Sequence, residues 1–473
     1  MGSDMPSGPD GRSVTQVSAQ ILIENCHIVT VDARRREIEG GSVLVDGERI
    51  AAVEAGRIDD GDDRLCDTVI RVDGSGCVLT PGLINTHHHL YQWITRGMAA
   101  DQTLFEWLTT LYPVWAGIDE AAVHAAALGG LAQLALSGCT TTTDHHYVFP
   151  RDGGDLLGAE IAAAEAMGLR FHPTRGSMDL SEKDGGLPPD TVVESIDEIL
   201  TASAQAVDRW HDPGPGAMVR IGIAPCSPFS VTTDLLRESA LLARDLGVRL
   251  HTHLAESPDE NTYCAQQFGA TPLQYMESVG WLGDDVWFAH GIEFDDDEIA
   301  RLAATATGVA HCPTSNARLG NRICRTRDLV DAGVPVGLGV DGAASNESAR
   351  LLEEAHQAVL MARARGGPTA LSTRTAIELA TLGGARVLGR AEEIGSVEVG
   401  KFADLVLWDL STAAHRDIDD PVAALVLGAI PPIRASWVHG RSIIDDGEVR
   451  TVDLDQVTRD VAREHDRLIA RAG

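Results

Sequence analysis

Lysine is nearly missing from this chain: 473 residues contain only Lys183 and Lys401. Aromatic side chains are also scarce, at 4%. No uncharged apolar run reaches the ~18 residues that a membrane-crossing helix needs, so a membrane is not an expected partner. The opening MGSDMPSGPDGRSVTQVS lacks the apolar core of a secretion signal and reads as a disordered polar tail over 1–19. A cytoplasmic protein is therefore expected. Paired-cysteine spacing is absent too. Cys26, Cys66, Cys77, Cys139, Cys226, Cys264, Cys312 and Cys324 form no C-x-x-C, which favours reduced thiols. The same absence removes the deaminase fold built on H-x-E and P-C-x-x-C. Positive charge is short, with 38 Lys and Arg against 70 Asp and Glu and a net charge of −32. Such a surface repels phosphate backbones, which argues against nucleic acid as a partner. No G-x-x-x-x-G-K phosphate loop occurs.

What is present is a chain that is 44% hydrophobic, enough for one large core and a smaller satellite. Residues 20–80 carry β-branched runs such as AQILIENCHIVTVD, broken by turn residues. The same texture returns over 395–455, in GSVEVGKFADLVLWDL and IRASWVHGRSIIDDGEV. The two pieces are expected to join in one small β-sandwich. A helix is expected over 456–473. Between the β pieces, over 81–394, eight short apolar strands alternate with Ala/Leu-rich helical stretches at 119–137, 156–168, 233–246, 296–306 and 350–365. This order predicts an α/β chain with a (β/α)8 TIM-type barrel. A doubly wound sheet is the alternative, but it does not need eight consecutive units.

Polar, ligand-type residues gather at the C-terminal ends of these strands, where a barrel places its active site. In NTHHHL, strand alternation turns His87 and His89 to one side and His88 to the other. An H-x-H at a strand end can set two imidazoles on one metal. RLHTHLAES adds His251, His253 and Glu256, WFAHGIEF adds His290, and GLGVDGAASN adds Asp341. Singly, each has a bland reading as a core or turn residue. Together they are hard to explain by packing, which would prefer Val, Ile or Leu there. His251 lies one strand period deeper, ~6.6 Å, and reads as core or as support for a ligand.

These motifs resemble the amidohydrolase superfamily, metal-dependent hydrolases on a distorted (β/α)8 barrel. H-x-H matches His87 and His89, H-x-x-E matches His253 and Glu256, and the sixth and eighth strands supply His290 and Asp341. The resemblance implies a metal held by His87, His89, His253 and Asp341. Two-metal members bridge their ions with a lysine on the fourth strand, and VRIGIAPCS has none. One divalent ion is therefore expected. Three imidazoles and a carboxylate suit Zn²⁺, and Fe²⁺ can take the same ligands. Such an ion lowers the pKa of its water from ~15.7 toward ~7. The metal-bound hydroxide then attacks an amino-bearing ring carbon, with His290 and Asp341 orienting the water and taking its proton, and Glu256 protonating the adjacent ring nitrogen and helping the ammonia leave.

Finer segments, among them SGCTTTTDHHYVFP, TRGSMDLSEKDGGLPP and HCPTSNARLG, resemble the bacterial 8-oxoguanine deaminases within that superfamily. This resemblance implies conversion of 8-oxoguanine to urate and ammonia, and a homo-oligomer. The alternative is an s-triazine, pterin or other purine aminohydrolase, of the hydroxyatrazine, isoxanthopterin or guanine type. A flat purine needs donors, acceptors and stacking faces around it. Gln92, Arg175, Asn316 and Cys226 are the candidates for its rim, and Tyr147 and Trp107 for its faces. Of the pair after the second strand, one histidine faces the mouth, and His146 is assigned to the pocket.

Overall fold

The computed structural model describes residues 20–472, so the tail over 1–19 lies outside the described residues. Eight parallel strands close into a barrel. In chain order they are β1 Leu83–Asn85, β2 Cys139–His146, β3 Arg170–Ser177, β4 Gly222–Pro225, β5 Leu250–Leu254, β6 Val286–His290, β7 Gly308–His311 and β8 Val336–Leu338. All eight are buried end to end, as strands wrapped by helices must be. The helices include Glu120–Ala135, Leu156–Met167, Thr233–Leu246, Asp296–Thr305 and Leu351–Gly366. Each of these lies within two residues of a stretch expected from the sequence. Side-chain caps from Asp119, Asp155, Thr232 and Asp295 start the first four.

Strands from both ends of the chain share a nine-stranded sheet outside the barrel. Cys77–Pro81 pairs antiparallel with Leu405–Asp409, which ties the N-terminal part to the C-terminal part. Ile21, Ile23, Val43, Val45, Leu79, Leu405, Leu407 and Trp437 give this sheet a core of its own. The alternation of apolar residues in the sequence dictates that face. Arg170 on β3 forks onto Asp404 at 2.7 and 3.1 Å, a buried two-pronged pair that locks barrel to sheet. No helix among the described residues is long and apolar enough to cross a membrane.

Two features position the barrel mouth. First, beyond the ends of β1 and β8, His88–His89 pairs in parallel with Asp341–Gly342. This short ladder sets the H-x-H segment directly beside the aspartate. Second, the outer side of β2 anchors the next segment. Asp144 Oδ1 accepts from the Leu90 backbone N–H at 2.6 Å, one residue past His89. His146 turns the same way as Asp144 and meets Glu160 of the helix Leu156–Met167 at 2.7 Å, while its Nε2 lies 2.9 Å from the Val148 carbonyl. A carbonyl can only accept, so Nε2 carries the proton. Burial pushes the His146 imidazole down to about 4 and the Glu160 carboxyl up to about 8. The neutral carboxyl therefore donates to His146 Nδ1.

A carboxyl raised in the folded state contributes stability that is complete below its unfolded pKa of ~4.3 and lost as pH rises through about 8. Glu160→Gln keeps a donor and removes the titration. Its stability relative to the parent should rise between pH 6 and pH 9 in denaturant unfolding. Glu160→Ala leaves His146 without a donor and should cost about 1–3 kcal/mol at pH 6, and less at pH 9, where the parent has lost its protonated carboxyl.

Candidate metal centre and pocket

The centre is built from His87 and His89 just past β1, His253 on β5, and Asp341 past β8. All four are buried. Backbone carbonyls decide where their lone pairs point. His89 Nδ1 lies 2.7 Å from the His145 carbonyl, and His253 Nδ1 lies 2.6 Å from the Cys226 carbonyl. Each Nδ1 must therefore carry the hydrogen. His87 reaches a carbonyl through a relay: its Nδ1 faces His251 Nε2 at 2.8 Å, and His251 Nδ1 faces the Trp287 carbonyl at 2.9 Å. Burial holds His87 and His253 well below the ordinary histidine range and His251 down at about 3, so these rings are neutral.

With hydrogen on Nδ1, the neutral form of each ligand ring leaves Nε2 bare, and the three Nε2 atoms converge. His89 Nε2 and His253 Nε2 stand 3.1 Å apart. Asp341 Oδ1 lies 3.2 Å from His87 Nε2 and 3.3 Å from His89 Nε2. His87 Nε2 has no hydrogen-bond partner although it is buried. Lone pairs facing one another and a carboxylate, without a proton between them, repel unless a cation sits there. The donor set thus fits a divalent metal ion, and the carbonyl partners are those that ligating histidines use to fix their tautomer. Asp341 is itself braced. Ser315 Oγ donates to its Oδ2 at 2.5 Å and the Gly342 N–H to its Oδ1 at 2.7 Å.

Two further groups face this centre. His290 Nε2 lies 3.6 Å from Glu256 Oε2 and 4.0 Å from Asp341 Oδ2. Its Nδ1 donates to Asn316 Oδ1 at 2.9 Å. Burial alone would lower the His290 pKa, but the Glu256 and Asp341 carboxylates outweigh it and the group titrates above an ordinary histidine. Burial pushes the Glu256 carboxyl up in spite of His290. Asn321 donates to Glu256 Oε1 at 3.2 Å, and Glu260 Oε2 accepts from the Glu256 N–H at 3.0 Å. His290, Asp341 and Ala255, the residue before Glu256, all adopt left-handed φ values of 74°, 60° and 54°. Non-glycine residues held there mark backbone strain, and here it coincides with the strand ends that aim the site.

The pocket above the centre is lined by Gln92, Trp107, Tyr147 and Cys226 of the expected contacts, together with Tyr112 and Phe229. Gln92 Oε1 and the Tyr112 hydroxyl are buried without partners, so both can serve a ligand. A Cβ on Gly342 would fall 1.8 Å from Gln92 Oε1, so glycine there leaves Gln92 its place. Burial pushes the Cys226 thiol up to about 12, which keeps it a thiol.

The structure does not bring three expected contacts to the pocket wall. Arg175 is tied to Glu194 at 2.7 and 2.9 Å and lies over the Phe149 ring. Asn316 stands behind His290. His146 points to the helix layer, because it shares the outward side of β2 with Asp144, and His145 takes the inward side. His88 faces outward as alternation predicts, with Nδ1 2.6 Å from the Asp341 carbonyl. Ser345, whose Oγ lies 2.8 Å from the Ser315 Oγ that braces Asp341, carried no sequence signal of its own, and neither did Asn321 or Tyr112.

Residues 78–441 match the amidohydrolase family, and the chain belongs to that family. It is 45% identical over 417 residues to 8-oxoguanine deaminase of Pseudomonas aeruginosa, covering 88% of this chain and 92% of that one. It is 39% identical over 417 residues to an isoxanthopterin deaminase from an unknown prokaryotic organism, covering 83% and 86%. Among solved structures, it resembles atrazine chlorohydrolase from Arthrobacter aurescens complexed with zinc, with a TM-score of 0.88 and 31% identity over 94% of this chain and all of that one.

His251→Ala removes a partner of a ligand but no ligand. It should weaken divalent-ion binding about 10- to 100-fold in a chelator competition. His87→Ala should weaken it further. Equal affinities in parent and His251→Ala protein would contradict the relay through Trp287.

Proposed function

We propose that this protein is a zinc-dependent hydrolytic deaminase of 8-oxoguanine, releasing urate and ammonia. The reading is carried by His89, His253, the braced Asp341 and the Glu256–His290 pair, which line one pocket with free polar atoms on Gln92 and Tyr112, and by the unpartnered Nε2 of His87 beside Asp341. The 45% identity to an 8-oxoguanine deaminase supports that substrate.

His87, His89, His253 and Asp341 would hold the ion, which acts as a Lewis acid and makes water a nucleophile near neutral pH. The other steps belong to the chain. His290, charged and fixed by Asn316, orients the attacking oxygen together with the Asp341 carboxylate. Glu256 takes the proton of the water and delivers it to the ring nitrogen beside the amino-bearing carbon. The new C–O bond forms at that carbon, the C–N bond breaks, and the nitrogen leaves as ammonia after a second proton transfer. The raised pKa of Glu256 suits a group that both accepts and donates near neutrality. Gln92 reads the polar edge of the ring, and Tyr147 and Trp107 flank it. Water and a small heterocycle are the only partners this chemistry needs, and the proposed assembly is a homo-oligomer.

Metal-loaded protein with 8-oxoguanine should give equal amounts of urate and ammonia. Glu256→Gln should lose about 10²- to 10⁴-fold in kcat while the metal stays bound. Turnover of isoxanthopterin in place of 8-oxoguanine would move the substrate to the pterins, which the 39% relative favours. Gln92→Ala should lower kcat/KM about 10- to 100-fold, the loss of one buried polar contact. An unchanged value would remove Gln92 from the substrate's edge.

A further inference from the structure

At the end of the barrel away from the metal centre, a cleft of about 200 Å³ opens beside the N-terminal ends of β3, β4 and β5. His172 on β3, Arg220 just before β4 and Arg249 just before β5 line it, together with His211 and Gly389. No step of the proposed reaction uses them. The chain as a whole carries a net charge of −32, so this local concentration of basic groups runs against its composition.

The positive charge there is only partly matched. Arg220 pairs with Glu393 at 2.8 Å, and the same carboxylate accepts from the buried Arg390 at 2.8 and 3.1 Å. Arg249 makes no ion pair among the described residues. Its Nη2 donates to the Asp284 and Val387 carbonyls, and the nearby Asp285 carboxylate is taken by Arg244 at 2.9 Å. Three guanidiniums therefore have one ion-paired carboxylate between them. Polar nitrogens are also left over. Arg220 Nε, Arg249 Nε, Arg390 Nη1 and His172 Nδ1 are buried without a hydrogen-bond partner among the described residues. His211 Nδ1 accepts from the Ile221 N–H at 3.0 Å, so its neutral ring keeps a donor on Nε2.

The backbone makes room for the guanidinium. A Cβ on Gly389 would fall 2.6 Å from Arg249 Nη1. Burial pushes Arg249 and Arg390 down to about 10, and burial with the charges of Arg390, Arg249 and Arg220 holds His172 well below the ordinary histidine range. Buried cations with too few carboxylates are costly, and an anion beside them offsets that cost.

We propose that this cleft binds a small oxyanion of the phosphate class, with Arg249 supplying the unpaired charge and Arg220, His172 and His211 around it. A guanidinium offers its N–H groups in a fork that fits the oxygens of such an ion. The Arg220 side chain keeps 14% of its surface exposed, so the cleft is open to solvent. The site is independent of the metal centre and of the substrate in the proposed function.

Calorimetric titration of the zinc-loaded, full-length protein with inorganic phosphate tests it, at ~0.15 M salt, where charges more than ~8 Å away are screened. The parent should bind phosphate, and Arg249→Gln should bind it about 10- to 100-fold more weakly, the loss of a charge-assisted contact. Phosphate held only at the zinc would give equal affinities in the two proteins and would overturn the proposal. So would no binding by the parent. Crystals of the parent soaked in selenate give a second reading that needs no variant. An anomalous peak beside Arg249 is expected, and peaks only elsewhere would overturn the proposal. Neither readout involves turnover, so failure to act on 8-oxoguanine leaves both intact.

Discussion

The structure depends on backbone carbonyls that choose the tautomers of buried histidines. The His145, Cys226 and Trp287 carbonyls accept hydrogen bonds, directly or through His251, from the far side of the centre. They leave three Nε2 lone pairs aimed at one point. Neutral rings so arranged, with Asp341 beside them, are unfavourable alone and favourable around a cation. The affinity for metal is therefore written into strand geometry. A carbonyl can only accept, so each Nδ1 keeps its hydrogen and the neutral ring keeps its lone pair on Nε2.

Around that point the fold supplies rigidity in layers. The ladder between His88–His89 and Asp341–Gly342 joins the first and last barrel segments at the mouth. The outward side of β2 holds Leu90 through Asp144. The C-terminal helix Leu454–Ala472 adds a brace, since His465 Nδ1 lies 2.6 Å from the Ile94 carbonyl in the turn that carries Gln92. Left-handed backbone at Ala255, His290 and Asp341 then sets the direction of Glu256, His290 and Asp341. Strain of this kind persists only where the surroundings overdetermine it.

The barrel was legible because each strand is a short apolar run with a helix after it. The H-x-H face was legible too, since LIN leads into it and the alternation can be counted from an apolar start. The same counting failed in CTTTTDHH. A run of threonines marks neither face, so nothing in it tells whether His145 or His146 turns inward. Arg175 misled for another reason. Its partner Glu194 lies 19 residues on in a loop, and only the folded chain brings the two together. Asn316 has the right neighbour but one layer further back, because His290 stands between it and the pocket. The supports from Asn321 and Ser345 reach across loops whose course no periodicity encodes.

Nitrogen-15 NMR of the imidazole rings in metal-free, histidine-labelled protein tests the tautomers most directly. His87, His89 and His253 should all carry hydrogen on Nδ1, and His87 and His253 should be neutral with Nε2 bare before any metal is added. Hydrogen on Nε2 of His87 or His253 in the metal-free protein would contradict these tautomers.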